Sequence, residues 1–172
     1  MQEQLYFPVF VDLKGKKIVI VGGGSVAARR VRTLLLFGCE IIVIAPELKK
    51  EMQVLFQQYS YDFSSENDNC LEDSVVIIEK ILIWKRRVYE DGDCSGAFLA
   101  VAATNCREVN KQIGQQCKMA DCFVSVADKK EESTFYFPAI ATNGAVVVGI
   151  TSSGTNHTLT AAIARQVREC IE

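Results

Sequence analysis

A glycine-rich stretch near the N-terminus has the spacing needed to hold a dinucleotide. In GGGSVA, Gly22, Gly24 and Ala27 fit the pattern G-x-G-x-x-A. Glycines at this spacing let the backbone approach a pyrophosphate, whose charge the start of the following helix stabilises. The alternative is a tight turn without a ligand, but an apolar strand before the motif and a helical pattern after it favour the nucleotide site. The predicted cofactor contacts here are Gly22, Gly24, Ser25, Val26 and Ala27.

The ribose end of such a site often uses an acidic residue about 20 positions after the glycines. The nearest carboxylate in this sequence is Glu47, which follows Ala45 and Pro46. No arginine stands there to bind a 2′-phosphate. The sequence therefore favours NAD over NADP as the cofactor.

Polar residues also follow two later apolar runs. Thr104 and Asn105 come after FLAVAA, and Asp128 comes after FVSVA. Ligands of open α/β sheets bind beyond the carboxyl ends of the strands. Asp128 could therefore act as a general base or orient a substrate; the alternative is a helix cap or a solvated turn residue.

The stretch TSSGTNH, residues 151–157, is a further candidate. Backbone amides at the start of a helix could form a second anion site. An ordinary N-cap turn with an exposed His157 explains the same residues equally well.

The elements that must position these residues alternate along the chain. Short apolar runs predict strands ending at Val21, at 41–44, 75–84, 98–103 and 123–127, with a polar loop at 62–74. Helical spacing places Val26, Ala27, Val31, Leu34 and Leu35 on one face, and it returns over 46–59 and 107–119. Strand, helix and strand in this order predict an α/β fold, a Rossmann-like doubly wound parallel sheet.

The C-terminal part differs because no charged residue occurs from Ser133 to Ala164. Pro138, Gly144 and Gly154 divide this run into pieces too short to span a membrane. It could be a strand at 145–150 and the start of a helix, both buried in one core. It could also be a subunit interface, since interface cores are depleted in charge. We favour the interface and predict a nucleotide domain at 1–132 and a dimerisation segment at 133–172.

Composition excludes several classes of protein. The chain has 172 residues, 49% hydrophobic and 23% charged, with a net charge of −2, which is typical of a globular protein and not of one that binds duplex nucleic acid. A single histidine argues against a histidine-based metal site. Seven cysteines without a C-x-x-C pair, and a start that does not read as a signal peptide, favour the reducing cytoplasm.

Four stretches together resemble a known family. They are YFPVFVDLKGKKIVIVGGGSVAARR, GAFLAVAATNCREVN, FVSVADKKEESTFYFPA and VGITSSGT, and they span nearly the whole chain in the family's order. The family is that of the siroheme-synthase N-terminal domain, which comprises precorrin-2 dehydrogenases and their relatives that also insert iron. The resemblance implies an NAD-dependent oxidation of precorrin-2 to sirohydrochlorin, on the way to siroheme or cobalamin, by a homodimer.

The resemblance also implies roles for particular residues. Asp128 matches the family's catalytic carboxylate, and Thr104 and Asn105 match the element beside the nicotinamide. Ser152 matches a serine that faces the tetrapyrrole. Because that substrate carries several carboxylates, a protein of slight negative charge must supply local positive charge. The candidates are Lys129, Lys130, Arg29 and Arg30, with Lys129 favoured as a substrate contact.

Two departures from the family pattern concern the C-terminal part. The family loop usually reads S-[ST]-G-G-x-S-P, so Ser153 stands in place of a glycine and His157 in place of a proline. Many members also continue into a helical cap, whereas this sequence ends at Glu172.

Two other functions are compatible with the same residues. One is a bifunctional enzyme that also inserts Fe²⁺ or Co²⁺ into sirohydrochlorin, with Asp128 accepting pyrrole protons. The other is a non-catalytic module that senses NAD, in which Asp128 would be dispensable.

Overall fold

The computed structural model describes residues 6–59 and 82–171. Its main sheet has five parallel strands in the order β3-β2-β1-β4-β5. The strands are β1 (Lys17–Val21), β2 (Glu40–Ile44), β3 (Leu82–Lys85), β4 (Leu99–Ala102) and β5 (Phe123–Val126). The order reverses between β1 and β4, which makes that crevice the topological switch point. The predicted Rossmann-like α/β fold is confirmed.

Helices cover both faces of this sheet: α1 (Ser25–Leu34) and α2 (Lys50–Tyr59) on one, α3 (Arg107–Met119) on the other. The alternation of β1 explains the two layers. Ile18 and Ile20 pack with the first pair of helices, whereas Val19 and Val21 pack with α3. All four side chains are fully buried, and burying a side chain of this size contributes about 1.5–3 kcal/mol.

Two local predictions about the helices were wrong. Val26 was predicted on the buried face of α1, but it is 40% exposed. Ala28 is buried in the core in its place. The second helix begins at Lys50 and not at Pro46. The Lys49 N–H donates to Gly23 O at 2.9 Å, so the residues before Lys50 are held as a loop against the glycine-rich stretch.

The predicted strand at 75–84 lies only partly within the described residues. There the strand runs from Leu82 to Lys85, one residue further than expected. The predicted polar loop at 62–74 lies outside the described residues.

After residue 132 the chain forms an antiparallel hairpin and a helix. The elements are β6 (Ala139–Asn143), β7 (Val146–Ile150) and α4 (His157–Ile171), and α4 packs on the hairpin. The sequence predicted only the second strand; the Asn143-Gly144 pair is a hairpin signal that pointed to the first. The uncharged run is thus shared among several elements, and none of the described helices has the length and apolarity to cross a bilayer.

Candidate functional site

The carboxyl ends of the strands are held in line at one edge of the sheet. Hydrogen bonds continue one residue beyond the strands, from Gly22 N–H to Ile44 O at 2.9 Å and from Ala103 N–H to Val21 O at 2.8 Å. Ala127 N–H donates likewise to Ala102 O at 2.9 Å. The predicted cofactor contacts, together with Asp128 and Lys129, follow β1, β2, β4 and β5, so the fold brings them to this common edge. The predicted substrate contact Ser152 follows β7 instead.

The three consecutive glycines serve different purposes. Gly22 has φ +126°, and a Cβ there would lie 2.2 Å from Ala103 O. A Cβ on Gly23 would lie 2.1 Å from Glu47 O. No atom lies within 4 Å of the corresponding position on Gly24. Packing therefore requires Gly22 and Gly23, and Gly24 leaves an open cradle that a ligand can enter.

The start of α1 fits a bound pyrophosphate. Gly24 is its N-cap with no side-chain hydrogen bond, and its first turn has no acidic residue. The first amides of a helix have no intrahelical acceptor, and they carry the positive end of the helix dipole. Ser25 and Val26 are exposed at this end. The residues present thus suit the diphosphate of a nicotinamide dinucleotide.

The loop after β2 is fixed by a residue that the sequence did not single out. The Trp84 indole N–H, at the end of β3, donates to Ala45 O at 2.9 Å. The side chain of Glu47 is exposed beside this contact. No sequence pattern indicated Trp84, because its partner Ala45 follows a different strand, β2.

A buried amide fixes the loop after β4. Asn110 is 1% exposed, and its Oδ1 accepts from the Thr104 N–H at 3.0 Å and from the Thr104 hydroxyl at 2.8 Å. Its Nδ2 donates to Thr104 O at 3.1 Å. Thr104 is therefore held at three atoms, while Asn105 next to it is exposed. The available signal was a polar residue three positions before Ile113 on the apolar face of a helix.

Asp128 lies beyond β5 with a cationic neighbour. Its side chain is 37% exposed, and Arg107 Nη1 lies 3.4 Å from Asp128 Oδ1. The same guanidinium donates from Nη2 to Glu132 Oε1. The hydrogen bond to Glu132 raises the pKa of Arg107 above its usual value, so Arg107 stays charged. Sequence reasoning missed Arg107, the partner of Asp128, and Glu132, the second partner of Arg107, although adjacent β4 and β5 bring the residues after them together.

Two of the four predicted positive charges, Lys129 and Arg30, have other partners. Lys129 Nζ lies 3.9 Å from Glu131 Oε2 in an exposed ion pair. The guanidinium of Arg30 lies 4.2 Å from the centre of the Phe137 ring. Burial, and then the charge of Arg29, lower the pKa of Arg30 to about 10. Arg30 therefore fastens the C-terminal part of the chain to α1.

The loop before α4 is closed by its own polar groups. Ser152 Oγ donates to Asn156 O and accepts from the Asn156 N–H, both at 3.0 Å, and Asn156 Oδ1 caps Leu159 N–H at 2.9 Å. Ser153 has φ +55°, so it adopts the left-handed conformation that a glycine would adopt without strain. The role of Ser152 toward a ligand stays a prediction.

A metal centre is not evident in the described part of the chain. Across residues 6–59 and 82–171, no group of three or more His, Cys, Asp or Glu side chains is arranged to hold an ion. His157 is exposed at the start of α4.

The fold and the glycine loop define a class of protein. A five-stranded parallel sheet with helices on both faces, and an uncapped helix beside its switch point, is a dinucleotide-binding domain. Residues 9–139 match the family described as putative NAD(P)-binding, and the chain belongs to that family. The prediction of a nicotinamide dinucleotide as cofactor is confirmed at this level.

Two known proteins that are similar to the chain are named for siroheme synthesis. It is 39% identical over 164 residues to the probable multifunctional siroheme biosynthesis protein HemA of Ruminiclostridium josui, an alignment that covers 95% of this chain and 28% of that protein. It is 32% identical over 167 residues to the siroheme synthase of Photorhabdus laumondii, covering 97% of this chain and 30% of that one. The chain thus spans less than a third of these relatives.

A solved structure is also similar over most of its length. This is SirC, precorrin-2 dehydrogenase, with a TM-score of 0.69 and 25% sequence identity. The match covers 97% of this chain and 72% of that one. The resemblance predicted from the four sequence stretches is confirmed.

Proposed function

We propose that this chain is an NAD-dependent dehydrogenase that oxidises precorrin-2 to sirohydrochlorin in the synthesis of siroheme or cobalamin. The observation that carries the proposal is a single sheet edge that holds both the open cradle at Gly24 and the half-exposed carboxylate of Asp128. The similarity to siroheme synthases and to SirC, precorrin-2 dehydrogenase, supports the choice of substrate.

Each part of the edge has a task in this reaction. The start of α1 binds the pyrophosphate, and the fixed Thr104 with Asn105 lies toward the nicotinamide, because β4 is across the switch point from the glycine loop. When bound, NAD⁺ supplies the acceptor for a hydride. Asp128 accepts the proton that leaves the tetrapyrrole in the same oxidation. The hydride and the proton together account for the two hydrogens removed.

An identical substitution at the two ends of β5 tests the role of Asp128. Asp128→Asn should lower kcat for NADH formation from precorrin-2 and NAD⁺ by about 100-fold or more, because a proton acceptor is lost. Asp121→Asn is the matched control, since Asp121 lies just before β5 at the opposite edge and its φ of +51° suits asparagine. NAD affinity, measured by calorimetry, should be unchanged in both variants.

The same measurements separate the enzyme from a sensing module. If the wild-type chain binds NAD and leaves precorrin-2 unchanged, the dehydrogenase proposal is wrong and the sensing function is favoured. If turnover is normal in Asp128→Asn, the chain is a dehydrogenase that does not use this carboxylate.

We propose NAD in preference to NADP. The side chain of Glu47, exposed after β2, would accept a hydrogen bond from a ribose 2′-hydroxyl and repel a 2′-phosphate. Calorimetry should therefore give tighter binding of NAD than of NADP, and Glu47→Gln should narrow the difference. Equal affinities for the two nucleotides in the wild type would contradict this role.

We propose further that residues 1–132 form the nucleotide domain and residues 133–172 a dimerisation segment. In α4, Leu159 is 51% exposed and Ile163 is 36% exposed, four residues apart on one face. In β7, Val146 is 54% exposed. Apolar side chains so exposed in a short segment favour a second copy of the chain as their partner.

Lys129 and Ser152 are proposed substrate contacts near this segment. A side chain at Gly154 would lie 3.3 Å from Lys130 Cδ, so the loop that carries Ser152 meets the residues that follow Asp128. A tetrapyrrole held between these two loops would lie beside Asp128.

The described cysteines are all free thiols, which is typical of a cytoplasmic location.

A further inference from the structure

Arg107 lies between two carboxylates at the edge where Asp128 is proposed to act. Arg107 is the first residue of α3, Asp128 follows β5, and Glu132 ends the short 3-10 turn Lys130–Glu132. We infer that Arg107, anchored by Glu132, is a positioning residue that fixes the Asp128 carboxylate for proton transfer. This inference rests on the proposed dehydrogenase function.

The two contacts of Arg107 are unequal, and their difference identifies the anchor. The guanidinium donates directly to Glu132 Oε1 from Nη2, whereas its Nη1 stands 3.4 Å from Asp128 Oδ1. Glu132 is also the more buried of the two carboxylates, 27% exposed against 37% for Asp128. A charge-assisted hydrogen bond strengthens as solvent is removed. Arg107 is therefore held by Glu132 and reaches toward Asp128.

Glu132 is itself held in place by the fold. Ser133 Oγ accepts from the Val126 N–H at 2.9 Å, which fastens the end of the 3-10 turn to β5. Gly114 lets β5 pack closely on α3, since a Cβ on Gly114 would lie 3.2 Å from Val126 Cγ2. The turn lies against the same position at ordinary contact distance, 3.9 Å from that Cβ to Glu132 Cβ. The anchor of Arg107 is therefore tied to the same strand that delivers Asp128.

The arrangement leaves Asp128 able to take a proton. Among the described residues Arg107 is its one ion-pair partner, and the contact involves only Oδ1. Oδ2 is thus free to face a substrate. The cation orients the carboxylate through Oδ1, and Oδ2 is left to accept the proton. Such an arrangement favours proton transfer from one direction.

A double-mutant cycle tests whether Glu132 acts through Arg107. Arg107→Gln should lower kcat about tenfold, since misplaced catalytic groups cost rate, and should leave the KM for NAD unchanged. Glu132→Gln should lower kcat by a smaller factor. The double variant should be no slower than Arg107→Gln, because the anchor has no effect once the guanidinium is gone. Arg107→Lys should recover part of the loss by restoring the charge.

Chemical rescue gives a readout that a purely structural role would not move. Millimolar guanidinium should restore part of kcat to Arg107→Ala and none to Asp128→Asn. Lys118→Gln is the matched control, because it removes one charge from the other end of α3 and should leave kcat unchanged.

The outcomes distinguish this inference from the function on which it rests. Absence of precorrin-2 oxidation by the wild type overturns the proposed function and the positioning role with it. Wild-type turnover with normal kcat in Arg107→Gln overturns the positioning role alone. Independent, multiplicative effects of Arg107→Gln and Glu132→Gln on kcat overturn the anchoring by Glu132. Coupling of the two substitutions in kcat, with guanidinium rescue, supports the inference.

Discussion

The two parts of the chain divide buried surface very unequally. Between Lys17 and Val126, nearly every strand residue of β1 and β4 is buried, and helices cover both faces of the sheet. From residue 133 to 171 only Ala141 and Ala164 are buried. The first region, residues 6–59 and 82–132, therefore carries its own core. The second, the C-terminal segment, presents the apolar side chains that a core would contain.

The two regions therefore differ in where the apolar burial that stabilises them comes from. Burial of apolar surface is the main favourable contribution to folding, and the first region obtains it within one chain. The C-terminal segment obtains little of it, and its attachment includes the contact of Arg30 with Phe137. We therefore expect changes in the first region to act on unfolding, and changes in the second to act on assembly.

The largest expected effect comes from the glycine loop of the first region. Gly23→Ala should lower the free energy of unfolding by about 3 kcal/mol, because the new Cβ overlaps Glu47 O. Gly24→Ala is the matched control for folding, since its Cβ enters open space and should cost less than about 1 kcal/mol. Urea unfolding measures both. Gly24→Ala should nevertheless weaken NAD binding in calorimetry, and unchanged binding would contradict the cradle.

The next effect should appear in assembly. Leu159→Glu places a charge on the exposed apolar face of α4 and should weaken dimerisation by about 2 kcal/mol, or roughly 30-fold in Kd. Light scattering after size exclusion measures this change. Leu36→Glu makes the same substitution at a leucine of the first region that is 65% exposed, and it should leave the dimer intact. If the wild-type chain is a monomer at high concentration, the dimerisation proposal is wrong.

A smaller effect should depend on pH and belong to the first region. Asp93, 6% exposed, accepts from Arg87 at 2.7 and 2.5 Å and from the Glu90 N–H at 2.8 Å. The Arg87 hydrogen bonds, and then the one from Glu90, lower the pKa of Asp93. Its stabilisation is therefore present above the unfolded pKa, near 4, and is lost as pH falls through the lower folded value.

The corresponding variant is Asp93→Asn, which should cost about 1 kcal/mol at neutral pH. The difference from wild type should shrink as pH falls below about 4, because the unfolded wild-type chain then takes up a proton at Asp93 that the folded chain takes up only at lower pH. Urea unfolding across the acid range measures it. A constant difference over the whole range would show that the charge of Asp93 is not the cause.

The smallest expected change in stability comes from replacing a residue with positive φ by glycine, once in each region. Ser153→Gly should stabilise the fold by about 0.5 kcal/mol, because glycine adopts a φ of +55° without a steric penalty and loses part of the gain to chain entropy. Asp121→Gly should gain less, since aspartate tolerates its φ of +51° better than serine does. Thermal unfolding measures both changes. A loss of stability in Ser153→Gly would show that the hydrogen bonds of this loop outweigh its strain.

Signals carried by short stretches of sequence were sufficient for the sheet and its edge. The apolar runs predicted β1, β2, β4 and β5, because a fully buried strand is marked by its own run of apolar residues. The glycine motif located the cofactor loop, because its spacing also lies within one short stretch of sequence. However, the motif treats position 23 as free, and the structure requires glycine there because Glu47 O approaches it from another loop.

Three residues that sequence reasoning missed depend on contacts between elements far apart in the sequence. Arg107 and Glu132 are 25 positions apart, and Trp84 lies 39 positions from its acceptor Ala45. Asn110 was visible as a polar residue on an apolar helix face, and Thr104 as a candidate cofactor contact, but the hydrogen bonds between them were not predicted. Strand β6 was missed because the uncharged run was interpreted as a whole and its Asn143-Gly144 turn was not used.

The close packing of Gly22 against Ala103 O and of Gly23 against Glu47 O also affects how a ligand would bind. These contacts, with the hydrogen bond from Lys49 N–H to Gly23 O, join the glycine loop to the ends of two neighbouring segments. The loop is therefore ordered during folding, and its conformational entropy is not lost again when a nucleotide arrives. Preorganisation of this kind gives an affinity that depends little on induced fit.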